Sequence, residues 1–505
     1  MRSDLAALVC LALAKVVFHL ATSSGWGIFR DELYYLACSE RLAWGYVDHP
    51  PLSIALLAAA RALFGDSLFA IRLLAAVAGG ASVFLTGLIA RALGARCAAT
   101  LLAALATAVA PQFIAVSHFY SMNAFEPLFW ALLAWLAVLI LLRERPRLWL
   151  AFGLVAGLGL QNKLSVAFFV VGLVAGLALT AQRRQLLSPW LWFGGALAAA
   201  ILAPHLWWQV GHAWPTAEFM ARAAAEKNVH MAPLEFFLGQ VTLAHPLAAP
   251  LWLGGLAALA FAPRFAPLRP LAIAYVVAFA VLVAAGGKVY YLTPIYPLLY
   301  AAGAAAFDGW CRARAWRWPV PAAAALLLVG GALTAPLAMP LMSVARYLAY
   351  AKAIGIAPPR LERTRPAALP QIFADMFGWT ELADAVGRAA DRLPPAERAR
   401  AVIVARNYGE AGALEWFGPA RRLPRVVSGH NSYWLWGPGD LRPDDPVIVV
   451  GFRPETVRAL FERVEQVETT RCTYCMPHEN DLPIYLARRP RVPLAELWHR
   501  VKRFI

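Results

Sequence analysis

Charged side chains are scarce in this chain. Asp, Glu, Lys and Arg make up 15% of its 505 residues, whereas hydrophobic residues make up 60%. Soluble globular domains usually carry more charge than this. Apolar runs long enough to cross a bilayer recur as far as about residue 340. The sequence therefore predicts a polytopic α-helical membrane protein and excludes an ordinary soluble domain.

Cysteine is also rare, and the six residues present are too few for a disulfide scaffold. Cys472 and Cys475 form a CxxC motif near the end of the chain. There is no second CxxC to complete a zinc site, and no His follows Cys475 directly, as haem attachment requires. We expect a local disulfide here, because this region is predicted to lie on the oxidising side of the membrane.

The chain lacks a basic patch with interleaved aromatic residues, so nucleic-acid binding is excluded despite a net charge of +16. Its arginines instead occupy every second predicted loop, as the positive-inside rule requires of cytoplasmic loops. These are Arg91, Arg96, Arg143, Arg145, Arg147, Arg183, Arg184, Arg264, Arg269, Arg312, Arg314 and Arg317. With a cytoplasmic N-terminus, residues 25–65, residues 209–245 and the C-terminal region lie outside.

About eleven transmembrane helices are predicted, and they form a membrane domain over residues 1–340. Their ranges are 4–24, 66–90, 96–114, 121–142, 148–160, 164–181, 188–208, 246–262, 269–286, 289–307 and 319–338. A linker is predicted at 345–365. Beyond it, a helical pattern at 381–393 is followed by apolar runs at 401–405 and 446–452. Residues 345–505 are therefore predicted to form a soluble C-terminal α/β domain.

The first predicted outer loop concentrates ionisable and aromatic residues. Its segment FRDELYYLACSERLAWGYVDHPPL contains Asp31, Glu32, Asp48 and His49. A helix over residues 29–39 is expected to rest on the membrane surface with its apolar side down. Ionisable groups beside a bilayer are costly unless they have partners or a function, so this loop is a candidate site. The alternative is a set of interfacial caps and anchors.

Further candidate residues come from later loops. Lys163 interrupts an apolar run, and it either faces a watery cavity or lies in a polar turn. Lys288 lies in GGKVYY, and it either binds a ligand or extends toward the membrane surface. Arg222, Glu226 and His230 are spaced to share one helical face, which is either a solvated salt-bridge stripe or part of the site.

Two C-terminal motifs allow more than one interpretation. The segment SGHNSYWLWGPGD at 428–440 suits a sugar-binding loop and an ordinary packed loop equally. Residues 408–412 (YGEAG) follow a predicted strand, but they lack the GxGxxG pattern of a nucleotide loop, so nucleotide binding is discounted.

The sequence resembles a known family in several features. The loop DELYY…YVDHPPL, the eleven-helix layout, the lysine of GKVYYLTPIYPLL and the outer C-terminal domain are similar to those of the dolichyl-phosphate-mannose-protein mannosyltransferase superfamily. Its bacterial branch, which includes the lipid A aminoarabinose transferases, is the most similar. The resemblance implies a membrane fold of the GT-C type over residues 1–340. It also implies transfer of a sugar from a polyprenyl-phosphate donor to a lipid, polysaccharide or protein acceptor.

The resemblance also implies roles for individual residues. Asp31 matches the catalytic aspartate of the family, whereas Asp48 and His49 stand where the aminoarabinose branch has Glu-Lys, so the phosphate-binding role of that Lys does not carry over. An inverting transfer needs a base such as Asp31, and the lipid phosphate needs cations or a divalent metal ion, whose use stays open. The predicted catalytic residues are Asp31 and Glu32, and the predicted substrate-binding residues are Asp48, His49, Tyr34, Lys288, Tyr291, Arg222 and Lys163.

The expected location is a bacterial inner membrane, with the site and the C-terminal domain in the periplasm and membrane lipids around the helices. The alternative function is a transporter or flippase of lipid-linked sugars. It predicts inverted repeats and charges at the membrane midplane, whereas the sequence shows no such repeat and places its charges at the outer surface. A non-catalytic scaffold would leave the first outer loop unexplained.

Overall fold

Helices dominate the first 353 residues. The computed structural model describes residues 2–356, 362–363, 365–439, 442 and 444–505. In chain order the helices of this part are α1 (Arg2–Ala21), α2 (Arg30–Ser39), α3 (Leu52–Phe64), α4 (Leu68–Ala92), α5 (Cys97–Val109), α6 (Pro111–Val116), α7 (Met122–Arg143), α8 (Leu148–Asn162), α9 (Val166–Ala178), α10 (Pro189–Gly211), α11 (Pro215–Arg222), α12 (Pro233–Leu243), α13 (Ala249–Phe261), α14 (Arg269–Ala284), α15 (Tyr296–Ala313), α16 (Pro319–Ala338) and α17 (Val344–Ala353).

Several of these helices have the length and composition of membrane spans. Within the described residues, six helical segments are long and apolar enough to cross a bilayer, and there are eight if each of two bent helix pairs forms one span. Each of the eleven predicted segments coincides with one helix or with two consecutive helical segments. A helical membrane protein with several spans is therefore confirmed, whereas the count of about eleven crossings stays a prediction.

Proline divides one of the predicted segments. The range 96–114 forms two helices, because Pro111 begins α6 and the preceding Ala110 is extended, with φ −64° and ψ 132°. Proline has no backbone N–H, and it disfavours helical geometry in the residue before it.

Glycine allows the closest helix contacts in the membrane part. A Cβ on Gly153 of α8 would lie 2.0 Å from the carbonyl oxygen of Gly194 on α10. A Cβ on Gly255 of α13 would likewise lie 2.0 Å from the carbonyl oxygen of Leu299 on α15. Small residues at such crossings bring helix backbones together where lipid gives no hydrophobic driving force.

The C-terminal part contains a mixed sheet of five short strands. They are β1 (Val402–Ala405), β2 (Arg425–Ser428), β3 (Val447–Val450), β4 (Phe461–Thr469) and β5 (Pro483–Pro490), in the order β2-β1-β3-β5-β4. β1 is parallel to β2 and β3, with Ile403 opposite Ile448, whereas β5 is antiparallel to both β3 and β4. The two predicted apolar runs correspond to β1 and β3, whose side chains are mostly buried as expected of central strands.

Helices accompany this sheet. They are α18 (Gln371–Ala374), α19 (Trp379–Asp391), α20 (Pro395–Arg398), α21 (Tyr408–Phe417), α22 (Ser432–Leu435), α23 (Pro454–Leu460) and α24 (Leu494–Arg500). The predicted helix at 381–393 corresponds to α19. Of the predicted linker at 345–365, residues 357–361 and 364 lie outside the described residues.

The C-terminal part and the first outer loop share one hydrophobic core. Nine of the ten residues of α2 are buried, and α2 packs against α3 and α21. The same core joins Leu33 of α2 to Ile403 of β1 and Leu414 of α21. The expectation that α2 rests on the membrane surface with an apolar side in lipid is therefore wrong, because the C-terminal part covers it. The predicted boundary near residue 345 stays a prediction.

Candidate active site

Glu32 is held by the protein at both carboxylate oxygens. Oε1 accepts hydrogen bonds from Arg72 Nε and the backbone N–H of Tyr120, both at 2.8 Å. Oε2 accepts from Arg72 Nη2 at 2.7 Å and from the backbone N–H of Phe29 at 2.9 Å. Glu32 is 0% exposed. Its position suits an anchor at the start of α2, and it leaves no oxygen free to take a proton from a substrate.

Asp31, the preceding residue, is only partly buried. Its Oδ1 accepts a hydrogen bond from the Tyr408 hydroxyl at 2.9 Å. Tyr408 begins α21, which Asn407 caps by accepting hydrogen bonds from the backbone N–H groups of Gly409 and Glu410. Among the described residues, no hydrogen bond engages the second oxygen, Oδ2. Asp31 is thus positioned by one oxygen and available at the other.

Asp48 is joined to the same region through Tyr34. The Tyr34 hydroxyl donates to Asp48 Oδ1 at 2.9 Å and lies 2.7 Å from Ser432 Oγ. Burial raises the pKa of Asp48, and the negative charge of Asp31 raises it further, whereas His49 and the Tyr34 hydrogen bond oppose the rise. Asp31, Asp48 and Tyr34, predicted as parts of one site, are therefore brought together.

His49 lies behind Asp48 in an aromatic environment. Its ring centroid is 4.7 Å from that of Tyr35 and 5.0 Å from that of Tyr46. Nδ1 is 3.0 Å from the Pro50 carbonyl oxygen, and Nε2 is 3.9 Å from Asp48 Oδ1. His49 is 1% exposed, so its imidazole is shielded from solvent.

Lys288 forms an ion pair next to the site. Its Nζ is 2.6 Å from Glu362 Oε1, which also lies 3.5 Å from Lys227 Nζ. Burial by itself raises the pKa of Glu362, but the charges of the two lysines lower it to about 2. Burial lowers the pKa of Lys288, whereas Glu362, Tyr291 and Asp31 raise it above its usual value. Lys288 thus lies within electrostatic reach of Asp31 but is already paired.

Lys163 and Tyr291, both predicted as site residues, contact each other. Lys163 Nζ lies 4.6 Å from the Tyr291 ring centroid and 5.6 Å from that of Tyr290. The same nitrogen is 2.6 Å from Glu126 Oε2 and 2.8 Å from Asn123 Oδ1. The lysine follows the last residue of α8, so the predicted break in the apolar run is real.

Arg222 is the predicted residue least integrated into this arrangement. Its side chain is 43% exposed and pairs with Glu218 at 3.1 Å. The expected single face of Arg222, Glu226 and His230 is wrong. The α-helix ends at Arg222, a π-helical turn follows at Ala223–Lys227, and His230 lies beyond it. Residues four apart align only where α-helical geometry continues.

The structure also resolves the loop at 428–440, of which Asp440 lies outside the described residues. Tyr433 is buried and donates to Glu415 at 2.8 Å, and Trp434 Nε1 donates to the carbonyl oxygen of Trp498 at 2.9 Å. These groups are used within the protein, which favours the packed-loop interpretation over sugar binding.

The structure also bears on metal binding and on the CxxC motif. Among the residues that the structure describes, no three His, Cys, Asp or Glu side chains are arranged to hold a metal ion. Cys472 and Cys475 are not joined to each other, and the Cys475 thiol donates to the Cys472 carbonyl oxygen at 3.5 Å. The expected local disulfide is therefore not formed.

Four residues of this region were not identified from the sequence. Arg30 and Tyr408 flank Asp31, Ser432 contacts Tyr34, and Arg72 holds Glu32. The motif at residues 408–412 suggests only a nucleotide loop from its sequence, and the missing GxGxxG pattern argues against that function. Arg72 lies inside an apolar run, and an arginine there is itself a signal of a buried partner.

Comparison with known proteins agrees with the resemblance predicted from the sequence. Residues 48–208 match the model of the dolichyl-phosphate-mannose-protein mannosyltransferase family, so the resemblance is confirmed. The match begins at Asp48 and therefore does not include Asp31. No curated protein sequence matches the chain.

Solved structures of membrane glycosyltransferases share the fold. ArnT from Cupriavidus metallidurans bound to undecaprenyl phosphate has a TM-score of 0.61 and 16% identity, with 95% of this chain and 97% of that chain covered. The arabinofuranosyltransferase AftD from Mycobacteria has a TM-score of 0.53 and 17% identity, with 97% of this chain and 40% of that chain covered. The archaeal oligosaccharyltransferase AglB from Archaeoglobus fulgidus has a TM-score of 0.50 and 13% identity, with 89% and 69% covered. The GT-C type of fold is therefore confirmed.

Proposed function

We propose that this protein is a membrane glycosyltransferase that moves a sugar from a polyprenyl-phosphate donor to a lipid, glycan or protein acceptor. The observation that carries the proposal is the state of Asp31. Its carboxylate is held at Oδ1 by Tyr408 and has no hydrogen-bond partner at Oδ2 among the described residues. Asp48 and Lys288 both lie within electrostatic reach of it. The similar structures of ArnT and AglB hold undecaprenyl phosphate and dolichol-phosphate, which supports a lipid-linked donor.

The arrangement suits an inverting transfer. Asp31 would accept the proton of the acceptor hydroxyl as its oxygen attacks the anomeric carbon, and the bond from that carbon to the carrier phosphate would break. A general base of this kind accelerates a reaction by about 10² to 10⁴. The hydrogen bond from Tyr408 fixes the carboxylate so that its free oxygen faces the acceptor.

The departing lipid phosphate needs positive charge. Lys288 would supply it by exchanging part of its pairing with Glu362 for the phosphate, while Lys163 and Tyr291 line the same region. Compensation of a developing negative charge is the largest electrostatic requirement of such a step. Arg222 is more exposed and would act at the rim.

The remaining predicted residues support Asp31. Glu32, with both oxygens engaged by the protein, would anchor α2 and not exchange protons with substrate. Tyr34 and Asp48 would orient the bound sugar, with His49 supporting Asp48 from behind.

We place the site on the periplasmic face of a bacterial inner membrane. The arginine-rich loops form the opposite, cytoplasmic side, where Arg96 and Arg312 both pair with Asp308. A site on the periplasmic face requires a lipid-linked donor, because soluble nucleotide sugars are confined to the cytoplasm. The sheet-containing part at 345–505 would lie in the periplasm and cover the first outer loop.

Replacement of Asp31 tests the proposal. Asp31→Asn keeps the side-chain size but removes the base, so sugar transfer should fall by about 10² to 10⁴. The measurement is release of free polyprenyl phosphate by purified protein supplied with lipid-linked sugars from the native envelope. Loss of one envelope sugar from the deletion strain, seen by mass spectrometry, identifies the acceptor.

Asp66→Asn provides a matched control. Asp66 is an exposed carboxylate paired with Arg61, and its replacement should leave transfer unchanged. Full activity of Asp31→Asn would overturn the assignment of the base. Accumulation of an unflipped inner-leaflet lipid in the deletion strain would instead favour a transporter.

A further inference from the structure

Arg30 is a buried cation whose hydrogen-bonding capacity is unused. It is the first residue of α2 and is 9% exposed. Its Nε is buried without a hydrogen-bond partner. The carboxylate that pairs with it, Glu479, lies 4.0 Å from Nη2, beyond hydrogen-bond distance. No side-chain hydrogen bond of Arg30 occurs among the described residues. Buried polar groups normally have partners, so an unpaired guanidinium calls for a ligand.

The other cations around the site differ in this respect. Lys288 and Lys163 each have a carboxylate oxygen at 2.6 Å, and Arg72 has one at 2.7 Å. Each of these charges is therefore compensated by a direct contact. Arg30 is surrounded by acids but contacts none of them closely.

The guanidinium is held in place by packing. It lies over the ring of Tyr408, 4.7 Å from the centroid, and the hydroxyl of the same tyrosine is bonded to Asp31. Gly409 makes room for the side chain, since a Cβ there would lie 2.8 Å from Arg30 Cγ and Nε. Arg30 is thus preorganised beside the proposed base without hydrogen bonds that would have to break.

One neighbouring acid leaves positive charge available at neutral pH. Burial raises the pKa of Asp375 to about 7, although Arg30 opposes the rise. Asp375 is therefore partly protonated near pH 7, and it neutralises the guanidinium only in part.

We propose that Arg30 binds a phosphate group of the substrate beside Asp31. The inference rests on the proposed function, in which one substrate is a sugar carried on polyprenyl phosphate. Arginine binds phosphate through a planar fork of two N–H groups, and the free Nε with one Nη provides such a fork. The phosphate comes either from the polyprenyl carrier or from the acceptor, and the two sources are separable by experiment.

The test compares full-length wild-type protein with Arg30→Gln and Arg30→Lys in detergent. The probes are polyprenyl phosphate and uncharged polyprenol, with Arg388→Gln as a control that removes an exposed arginine paired with Glu468. Arg30→Gln should weaken polyprenyl phosphate binding about 10- to 100-fold while leaving polyprenol binding unchanged. Arg30→Lys should lose less, because it keeps the charge and loses only the fork. Arg388→Gln should bind both lipids as the wild type does.

A second titration distinguishes the source of the phosphate. If Arg30→Gln still binds polyprenyl phosphate normally but loses binding of inorganic phosphate in the presence of the carrier, the phosphate belongs to the acceptor. If both variants bind both phosphates as the wild type does, Arg30 is a structural residue and the inference is overturned. Wild-type protein that neither binds polyprenyl phosphate nor transfers sugar would contradict the proposed function itself. Arg30→Lys keeps the test decisive if Arg30→Gln does not fold.

Discussion

Asp31 and Glu32 are neighbours in sequence, yet their carboxylates lie in different surroundings. Consecutive side chains on a helix point about 100° apart, so one faces the membrane helices and the other the C-terminal part. Glu32 is fixed at both oxygens by Arg72 and two backbone N–H groups. Asp31 has a single protein hydrogen bond, from Tyr408. This difference supports the proposal that Glu32 anchors α2 and Asp31 takes part in the chemistry.

Replacing Tyr408 with Phe tests the positioning of Asp31. The variant keeps the ring that packs against Arg30 but loses the hydrogen bond to Oδ1. A hydrogen bond to a charged group contributes about 1.5–3 kcal/mol, so kcat should fall about 10- to 100-fold. KM for the lipid-linked donor should change little, because the lost hydrogen bond positions the proposed base and not the donor. The measurement is kcat and KM of the purified variant.

Tyr433→Phe is the control for this experiment. Tyr433 is equally buried in the same core, but its hydroxyl donates to Glu415 and not to Asp31. It should lose stability without a change in kcat. A wild-type kcat in Tyr408→Phe would mean that Tyr408 only packs.

At the scale of single elements, α2 is held at its first turn by an ion pair with α4. Arg72 is 1% exposed, and its guanidinium also donates to the carbonyl oxygens of Ser23 and Gly27. One side chain thereby joins α4, the end of α1 and the start of α2. Its bidentate contact with Glu32 fixes the rotation of α2, and thus the direction in which Asp31 points.

Arg72→Met should destabilise the protein strongly. The substitution leaves Glu32 buried without its countercharge, which costs about 3–5 kcal/mol. The measurement is thermal unfolding in detergent, where the midpoint should fall by several degrees. Arg184→Gln is the control, since its pair with Glu144 is exposed on both sides and contributes at most about 1 kcal/mol. Equal stability of the two variants would contradict the role of Arg72.

The helix of the first outer loop was predictable from the sequence, whereas the helical face of the second outer loop was not. A helix is expected over residues 29–39, and α2 spans Arg30–Ser39. The face expected for Arg222, Glu226 and His230 required an α-helix that instead widens into a π-turn. Local widening depends on how the segment packs, and no residue in it marks the change.

At the scale of the whole molecule, the C-terminal part contributes side chains to the candidate site and packs against the membrane part. Tyr408 and Ser432 reach Asp31 and Tyr34 across about 400 positions of the chain. The core around α2 contains residues from both parts. Site formation and folding of the C-terminal part are therefore coupled.

Truncation after residue 343 should test this coupling. Removal of residues 344–505 exposes the buried face of α2, so the first outer loop should become sensitive to trypsin at Arg30 and Arg41. Sugar transfer should be lost even if the membrane helices insert. Co-expression of residues 345–505 as a separate chain should restore protection if that part folds alone. Full activity of the truncated chain would contradict an integrated site.

The sequence by itself determined the helical membrane part and the central strands, because hydropathy and periodicity are local properties. It also indicated the family resemblance, through the first outer loop, and with it the candidate carboxylate Asp31. Only the tertiary structure decided which of Asp31 and Glu32 is accessible, and which cations are already paired. Those outcomes depend on Arg72, Tyr408 and Glu362, which lie far from α2 in sequence. No local pattern records such distant contacts, since only packing brings them together.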